Sequence, residues 1–169
     1  MNFVKLSLVG MKHVVGSTAE FAFTQEKMNI DLSHENITKV GPVQVTGKIE
    51  NLGDRIFQAE GHIEVSAVGL CSRCLAPTPV KFGMEFLFKF SDILAETDDI
   101  FAFKGEEIEL YPQIVSEIIL NCPSQILCKP DCKGLCPKCG ANLNLGACSC
   151  ETEDIDPRLA VLKKLIDSR

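Results

Sequence analysis

The residues with the most chemistry to offer are nine cysteines: Cys71, Cys74, Cys122, Cys128, Cys132, Cys136, Cys139, Cys148 and Cys150. Seven of them fall within the 29 residues 122–150. Their spacing is that of ligands. CSRCL sets Cys71 and Cys74 two residues apart and CPKCG does the same for Cys136 and Cys139. A turn of that length lets two sulfurs converge on one ion at about 2.3 Å. Gly140 can take the positive φ that turns backbone amides toward the second pair. Cys148 and Cys150 close the same short loop, so Cys136, Cys139, Cys148 and Cys150 form a unit compact enough for a tetrahedral site of its own. Asn142 and Asn144 can turn the chain between them. Cys128 and Cys132 then remain to complete the distant pair Cys71 and Cys74, tying the two regions together across 53 intervening residues. Cys122, at a helix end among apolar neighbours, reads as a buried, inert thiol.

A second partition joins the two CxxC turns in imitation of a rubredoxin iron site and leaves Cys128, Cys132, Cys148 and Cys150 to form another. Leu75 counts against it, because rubredoxin-like turns usually carry a small residue after the second cysteine. The N-terminus MNFVKLSLVGMK has Lys5 inside its apolar run and reads neither as an export signal nor as an anchor. A reducing, cytoplasmic setting follows, where clustered thiols bind metal rather than pair. Cys148 and Cys150, one residue apart, are also a strained choice for a disulfide. Two zinc ions per chain are the leading expectation, with an iron-binding electron carrier as the alternative. Eight thiolates are enough to close both sites, whereas a catalytic zinc keeps one position open, so no enzyme is expected. His62 and Glu64 with Cys71 and Cys74 look briefly like a nucleobase deaminase, but only six residues separate them from the first cysteine and they lie on a strand. His13 and His34 have no nucleophile near them, and no phosphate-binding glycine motif is present.

These cysteines need elements to hold them. Val80, Phe82, Met84, Phe86, Phe88 and Phe90 alternate with Lys81, Gly83, Glu85, Leu87 and Lys89, a period of two that only an extended chain with one buried face produces. PVQVTGKIE and GHIEVSAVGL repeat the pattern more weakly, with the turn-like NLGD at 51–54 between them. FVKLSLV and EFAFT, punctuated by Gly10, Gly16 and Gly41, supply further strands. Pro112 with Ile114, Val115, Ile118 and Ile119 predicts a helix over about 112–121, stopped by Pro123. Asp156, Pro157, Leu159, Leu162, Leu165 and Ile166 predict a second one running to the C-terminus. The fold class expected is α+β: an antiparallel sheet or partly open barrel in the N-terminal half, few helices and a cysteine-rich zinc-binding C-terminal region. The division is 1–121 for a β-rich core with one helix, and 122–169 for the cysteine-rich region with its terminal helix packed on that core.

The chain has 169 residues, enough for one domain with a small appendage. Its 46% hydrophobic content and mean hydropathy of +0.13 exclude disorder as the main description. No apolar stretch is long enough to span a bilayer. The net charge of −6 resembles no nucleic-acid binder, yet it is local. Asp92, Glu96, Asp98, Asp99, Glu106, Glu107 and Glu109 face Lys104 alone within 91–109 and account for all of it, as a solvated segment or a docking surface for a basic partner. Around the cysteines Arg73, Lys81, Lys129, Lys133 and Lys138 are opposed within 122–150 only by Asp131. They are the candidate phosphate contacts.

Taken together, a CxRCL turn before a strand, EIIL leading into P-x-x-x-x-C, DCKGLCPKCGANLN and a late DPRLAVLKKL resemble the YceD family of large-subunit ribosomal RNA accumulation proteins, in its cysteine-rich branch. Shorter members keep only counterparts of Cys71, Cys74, Cys128 and Cys132, sometimes with histidine. Cys122 departs from the apolar residue usual in the family. The resemblance implies a bacterial cytoplasmic factor needed for synthesis, processing or stability of large-subunit ribosomal RNA. Its partner would be that RNA or a pre-ribosomal particle, met directly or through a ribosomal protein, with no membrane and no small-molecule substrate.

Overall fold

The computed structural model describes residues 5–93 and 100–150. In chain order its elements are β1 (Lys5–Ser7), β2 (Thr18–Gln25), β3 (Ile37–Gly53), β4 (Ile56–Leu70), β5 (Pro77–Ser91), β6 (Ile100–Ala102), β7 (Glu107–Glu109) and α1 (Tyr111–Leu120). The expected alternation along β5 is realised: Met84, Phe86, Phe88 and Phe90 are buried while Lys81, Glu85 and Leu87 face solvent. The same face of β3 and β4 contributes Val43, Val45, Ile49, Phe57, Ala59, Ile63 and Val65. Burying each such aliphatic or aromatic side chain contributes about 1.5–3 kcal/mol, so this face supplies the main driving force.

β2-β3-β4-β5-β6 form one five-stranded sheet, and β1 with β7 a separate two-stranded one. The expectation of an antiparallel sheet is corrected here: the sheet is mixed, because β6 runs parallel to β5. It is not closed into a barrel: β2 and β6 lie at opposite edges. The described part of FVKLSLV does not join the main sheet either: Leu6 pairs with Ile108 of β7, and residues 1–4 lie outside the described residues.

β3 and β4 form a long hairpin, and its turn falls at the C-terminal end of NLGD. β3 runs on to Gly53, and the reversal falls on Asp54 and Arg55, whose φ values of 49° and 59° are those of a type I′ turn without its usual glycine. Asn51, read as a turn residue, is a buried anchor: its Nδ2 donates to the Met11 carbonyl at 2.7 Å and its Oδ1 accepts from the Gly53 N–H at 2.9 Å. Midway along the sheet Phe21, Gly47, Gly61 and Phe86 stand side by side in register. The two rings, 6.4 Å apart between centroids, cover the glycine pair, and a Cβ on Gly61 would lie 2.6 Å from the Gly47 Cα.

α1 begins one residue before the expected position, with Pro112 in its first turn, and packs on β5. Ile114 and Ile118 are buried, whereas Ile119 is 49% and Leu120 78% exposed. Asn121 ends the helix with its side chain donating to the Glu117 carbonyl at 2.9 Å. Among the described residues no helix is long and apolar enough to cross a membrane. The helix expected from Asp156 onward lies outside the described residues.

Candidate metal centres

Leu70 ends β4 and Pro77 begins β5, so the link between these strands is the six residues Cys71–Ala76. This link carries two of the candidate ligands, Cys71 and Cys74. The Cys71 N–H donates to the Ala76 carbonyl at 2.9 Å and the Leu75 N–H to the Cys71 carbonyl at 2.9 Å, with Leu75 left-handed at φ 59°. The second turn repeats the scheme. The Cys136 N–H donates to the Ala141 carbonyl at 2.8 Å and the Gly140 N–H to the Cys136 carbonyl at 2.9 Å, with Gly140 at φ 73°. CSRCLA and CPKCGA are thus two copies of one backbone device. The sequence carried the signal in the shared cysteine spacing and terminal alanine, and Leu75 in the glycine position obscured it.

The tail is strapped to the first turn from three sides. The Ser72 N–H donates to the Ile126 carbonyl at 2.7 Å, and the Ile126 N–H donates back to the Ser72 hydroxyl at 3.1 Å. Arg73 donates from Nη1 to the Cys132 carbonyl at 2.8 Å, and the Leu135 N–H donates to the Arg73 carbonyl at 3.1 Å. Buried Ile126 packs over Gly69, its Cδ1 so close to where a Cβ would lie that a side chain there would have to displace it. The result brings Cys128 and Cys132 to Cys71 and Cys74.

The eight cysteines fall into two groups, Cys71, Cys74, Cys128 and Cys132, and Cys136, Cys139, Cys148 and Cys150, each with all four sulfurs within 4.8 Å of one another. The two CxxC turns therefore belong to different groups. In the first, Cys71 Sγ lies 3.8 Å from Cys132 Sγ and Cys74 Sγ 3.6 Å from Cys128 Sγ. A tetrahedral ion with sulfur ligands at about 2.3 Å requires sulfurs about 3.8 Å apart, whereas a disulfide needs about 2.05 Å. The donor set and its dimensions fit a four-coordinate, thiolate-bound metal ion. Cys71, Cys74, Cys132 and Cys136 are buried, Cys128 and Cys139 are exposed, and Cys148 and Cys150 are half-buried. Cys122 joins neither group; it packs half-buried against the core, and burial raises its pKa.

Electrostatics point the same way. The Cys128 N–H, aided by those of Arg73 and Cys74, lowers the Cys71 pKa to about 6 against the effect of burial. The N–H groups of Cys139 and Lys138 bring Cys136 to about 6. Against burial, the Asn144 amide and the Gly134 N–H lower Cys132. For Cys74 the Ala76 N–H is outweighed by burial and the neighbouring sulfurs, and its pKa rises. Cys128 is pushed up to about 12 by the Cys132 sulfur and by burial, and Cys150 to about 12 by the Cys139 sulfur and by burial. Four crowded sulfurs cannot all ionise alone, and a divalent cation would supply the missing positive charge.

Of the basic candidates, Arg73, Lys129, Lys133 and Lys138 are exposed on the cage-bearing segments and Lys81 is exposed on β5. Arg73 has one guanidinium donor committed to Cys132, and Lys129 stands 4.0 Å from Asp131. His62 and Glu64 are exposed on β4, outside both sulfur groups.

The class of protein that results is a β-sheet whose β4–β5 link and C-terminal segment together build two four-cysteine groups able to hold metal ions. The chain belongs to the YceD family: the model described as large ribosomal RNA subunit accumulation protein YceD matches residues 59–166. It is 31% identical over 125 residues to an uncharacterized protein of Mycobacterium bovis, covering 70% of this chain and 59% of that one. It is also 26% identical over 171 residues to the uncharacterized protein YlbN of Bacillus subtilis, covering 96% of each. A segment of 56 residues, 32% of this chain and 19% of the other, is 38% identical to the maize protein named large ribosomal RNA subunit accumulation protein YCED homolog 1, chloroplastic. The chain thus spans 59% of the length of the mycobacterial relative. No solved structure matches it significantly.

Proposed function

We propose that this chain is a noncatalytic zinc-binding factor of the bacterial cytoplasm that supports the synthesis, processing or stability of large-subunit ribosomal RNA, and with it ribosome assembly. The observation that carries this reading is the pair of four-sulfur cages in a member of a family named for ribosomal RNA accumulation. Cysteine-only tetrahedral sets are the donor sets of structural zinc, and four thiolates leave no open position at which a zinc-bound water could be activated. The ions would act as staples, holding residues 122–150 against the β4–β5 link as a rigid platform. Arg73, Lys129, Lys133 and Lys138 on that platform, with Lys81 on β5, would meet ribosomal RNA phosphates, or a ribosomal protein of the pre-ribosomal particle. Each four-thiolate zinc carries a net −2, which offsets part of that basic charge.

Elemental analysis of the purified protein tests the staple: two zinc ions per chain are expected, with Cys74→Ser and Cys139→Ser each losing a different one. A visible absorption band from iron–thiolate bonds would overturn the zinc assignment. A salt series of ribosomal RNA binding tests the partner. Affinity falling linearly in log–log terms supports phosphate contacts, whereas no binding at low salt transfers the contact to a ribosomal protein.

A further inference from the structure

The two cages are joined by one side chain that is a ligand of neither. Asn144 lies in the loop between Cys139 and Cys148, and each end of that loop is a ligand of the second cage. Its amide points into the first. Asn144 Nδ2 lies 3.4 Å from Cys132 Sγ and donates to it, while Asn144 Oδ1 accepts the Lys133 N–H at 3.0 Å. That second bond fixes which end of the amide faces the sulfur. The remaining Nδ2 hydrogen goes to Asn142 Oδ1 at 2.9 Å, and the Asn144 N–H donates to the same oxygen at 3.0 Å. The loop is laid against the first cage by the Leu143 N–H donating to the Gly134 carbonyl at 2.9 Å and by a bridge between Leu135 and Asn142.

Resting on the metal-site reading above, we infer that Asn144 is a positioning residue that couples the two cages, so that an ion in the second strengthens binding of an ion in the first. The physical chain is short. An ion held by Cys136, Cys139, Cys148 and Cys150 closes the loop at both ends, which removes most of its conformational freedom and holds Asn144 in place. The held amide donates to the Cys132 sulfur, orienting that ligand and stabilising its thiolate. With the second cage empty, the ends of the loop are free of each other and the Asn144 bond must be formed against the entropy of the open loop. Because coupling is reciprocal, an ion in the first cage strengthens the second by the same factor.

The test uses the full chain loaded with ¹¹³Cd²⁺ under reducing conditions, each cage followed by its own cadmium resonance during competition with a chelator. In Cys139→Ser, which empties the second cage, first-cage affinity is expected to fall about tenfold, as removal of a group that orients a metal ligand typically costs. In Asn144→Ala all eight sulfurs remain, the cadmium resonance of the first cage shifts, and the dependence of its affinity on the second cage disappears. Cys139→Ser added to Asn144→Ala therefore costs the first cage nothing more, a non-additivity that independent structural damage would not produce. Reciprocity requires Cys74→Ser to weaken the second cage by the same factor. Equal first-cage affinity in the native chain, Cys139→Ser and Asn144→Ala overturns the coupling while leaving the metal sites standing. A native chain that takes up no cadmium overturns both readings.

Discussion

At the scale of single residues, charge is managed by close pairing. Asp92, its side chain only 8% exposed, is held by the Arg55 guanidinium and by Lys12 Nζ at 3.2 Å. Arg55 before all, then Lys12, depresses its pKa to about 2 against the effect of burial. A depressed carboxylate stabilises the fold fully above its unfolded pKa of about 4, and that contribution fades as pH falls toward 2. Asp92→Asn should cost about 1–2 kcal/mol in urea unfolding at pH 6, discounted for the exposed Arg55, and the two proteins should converge near pH 2. The cage sulfurs give a second pH effect. Without metal at pH 7, Cys71 and Cys136 are largely ionised, while Cys128 and Cys150, at about 12, hold their protons. Loading must expel those protons, so metal affinity should rise with pH. Calorimetry in buffers of different ionisation heats should register at least one proton released per ion.

At the scale of elements, each unit owes its form to a different constraint. α1 is held by tertiary packing along one stripe, so Ile118→Ala should cost about 2–5 kcal/mol by leaving a cavity. Exposed Ile119→Ala should stay within about 0.5 kcal/mol, both read from denaturant midpoints. The first CxxC turn forces Leu75 into the left-handed region with its side chain 57% exposed. Leu75→Gly, which makes it match the second turn at Gly140, should hold or raise the melting temperature of the zinc-loaded protein, the relieved strain of about 1–2 kcal/mol offset in part by the entropy glycine adds to the unfolded chain. These elements were largely legible in advance. The period of two along residues 80–90 and the spacing of Pro112, Ile114 and Ile118 were read correctly, because both report one buried face. The hairpin reversal lies at the end of NLGD and not at its centre, because Asn51 and Gly53 carry turn chemistry as Asp54 does, while Arg55, which completes the turn, does not.

At the scale of the whole molecule the buried residues divide into two clusters. The large one fills the space between the sheet and α1, and a small one consists of Cys71, Cys74 and Cys132 with Ala76, Leu127 and Leu135 around them. The sheet therefore has a core separate from the sulfur groups, whereas residues 126–150 are organised around sulfur. Removing metal with a chelator under reducing conditions should abolish amide protection over 126–145 and leave it in β3, β4 and β5, as hydrogen exchange would measure.

The sequence by itself determined the local terms: which stretches form the long central strands, where α1 lies, and that eight cysteines come in CxxC, CxxxC and CxC spacings suited to metal; the short strands β6 and β7, inside the acidic segment 91–109, carried no such signal. The local terms follow from periodicity and from the reach of a short turn, which depend on neighbours in the chain. The family likeness was equally legible, because DCKGLCPKCGANLN is contiguous. Only the tertiary structure decided which pairs meet. Spacing left two partitions of the cysteines standing; the Ser72, Arg73 and Ile126 contacts that bring Cys128 and Cys132 to the β4–β5 link distinguish them, and they join residues more than fifty positions apart. The parallel placement of β6, the unclosed sheet and the reach of Asn144 to Cys132 are of the same kind, set by long-range packing that no local pattern encodes.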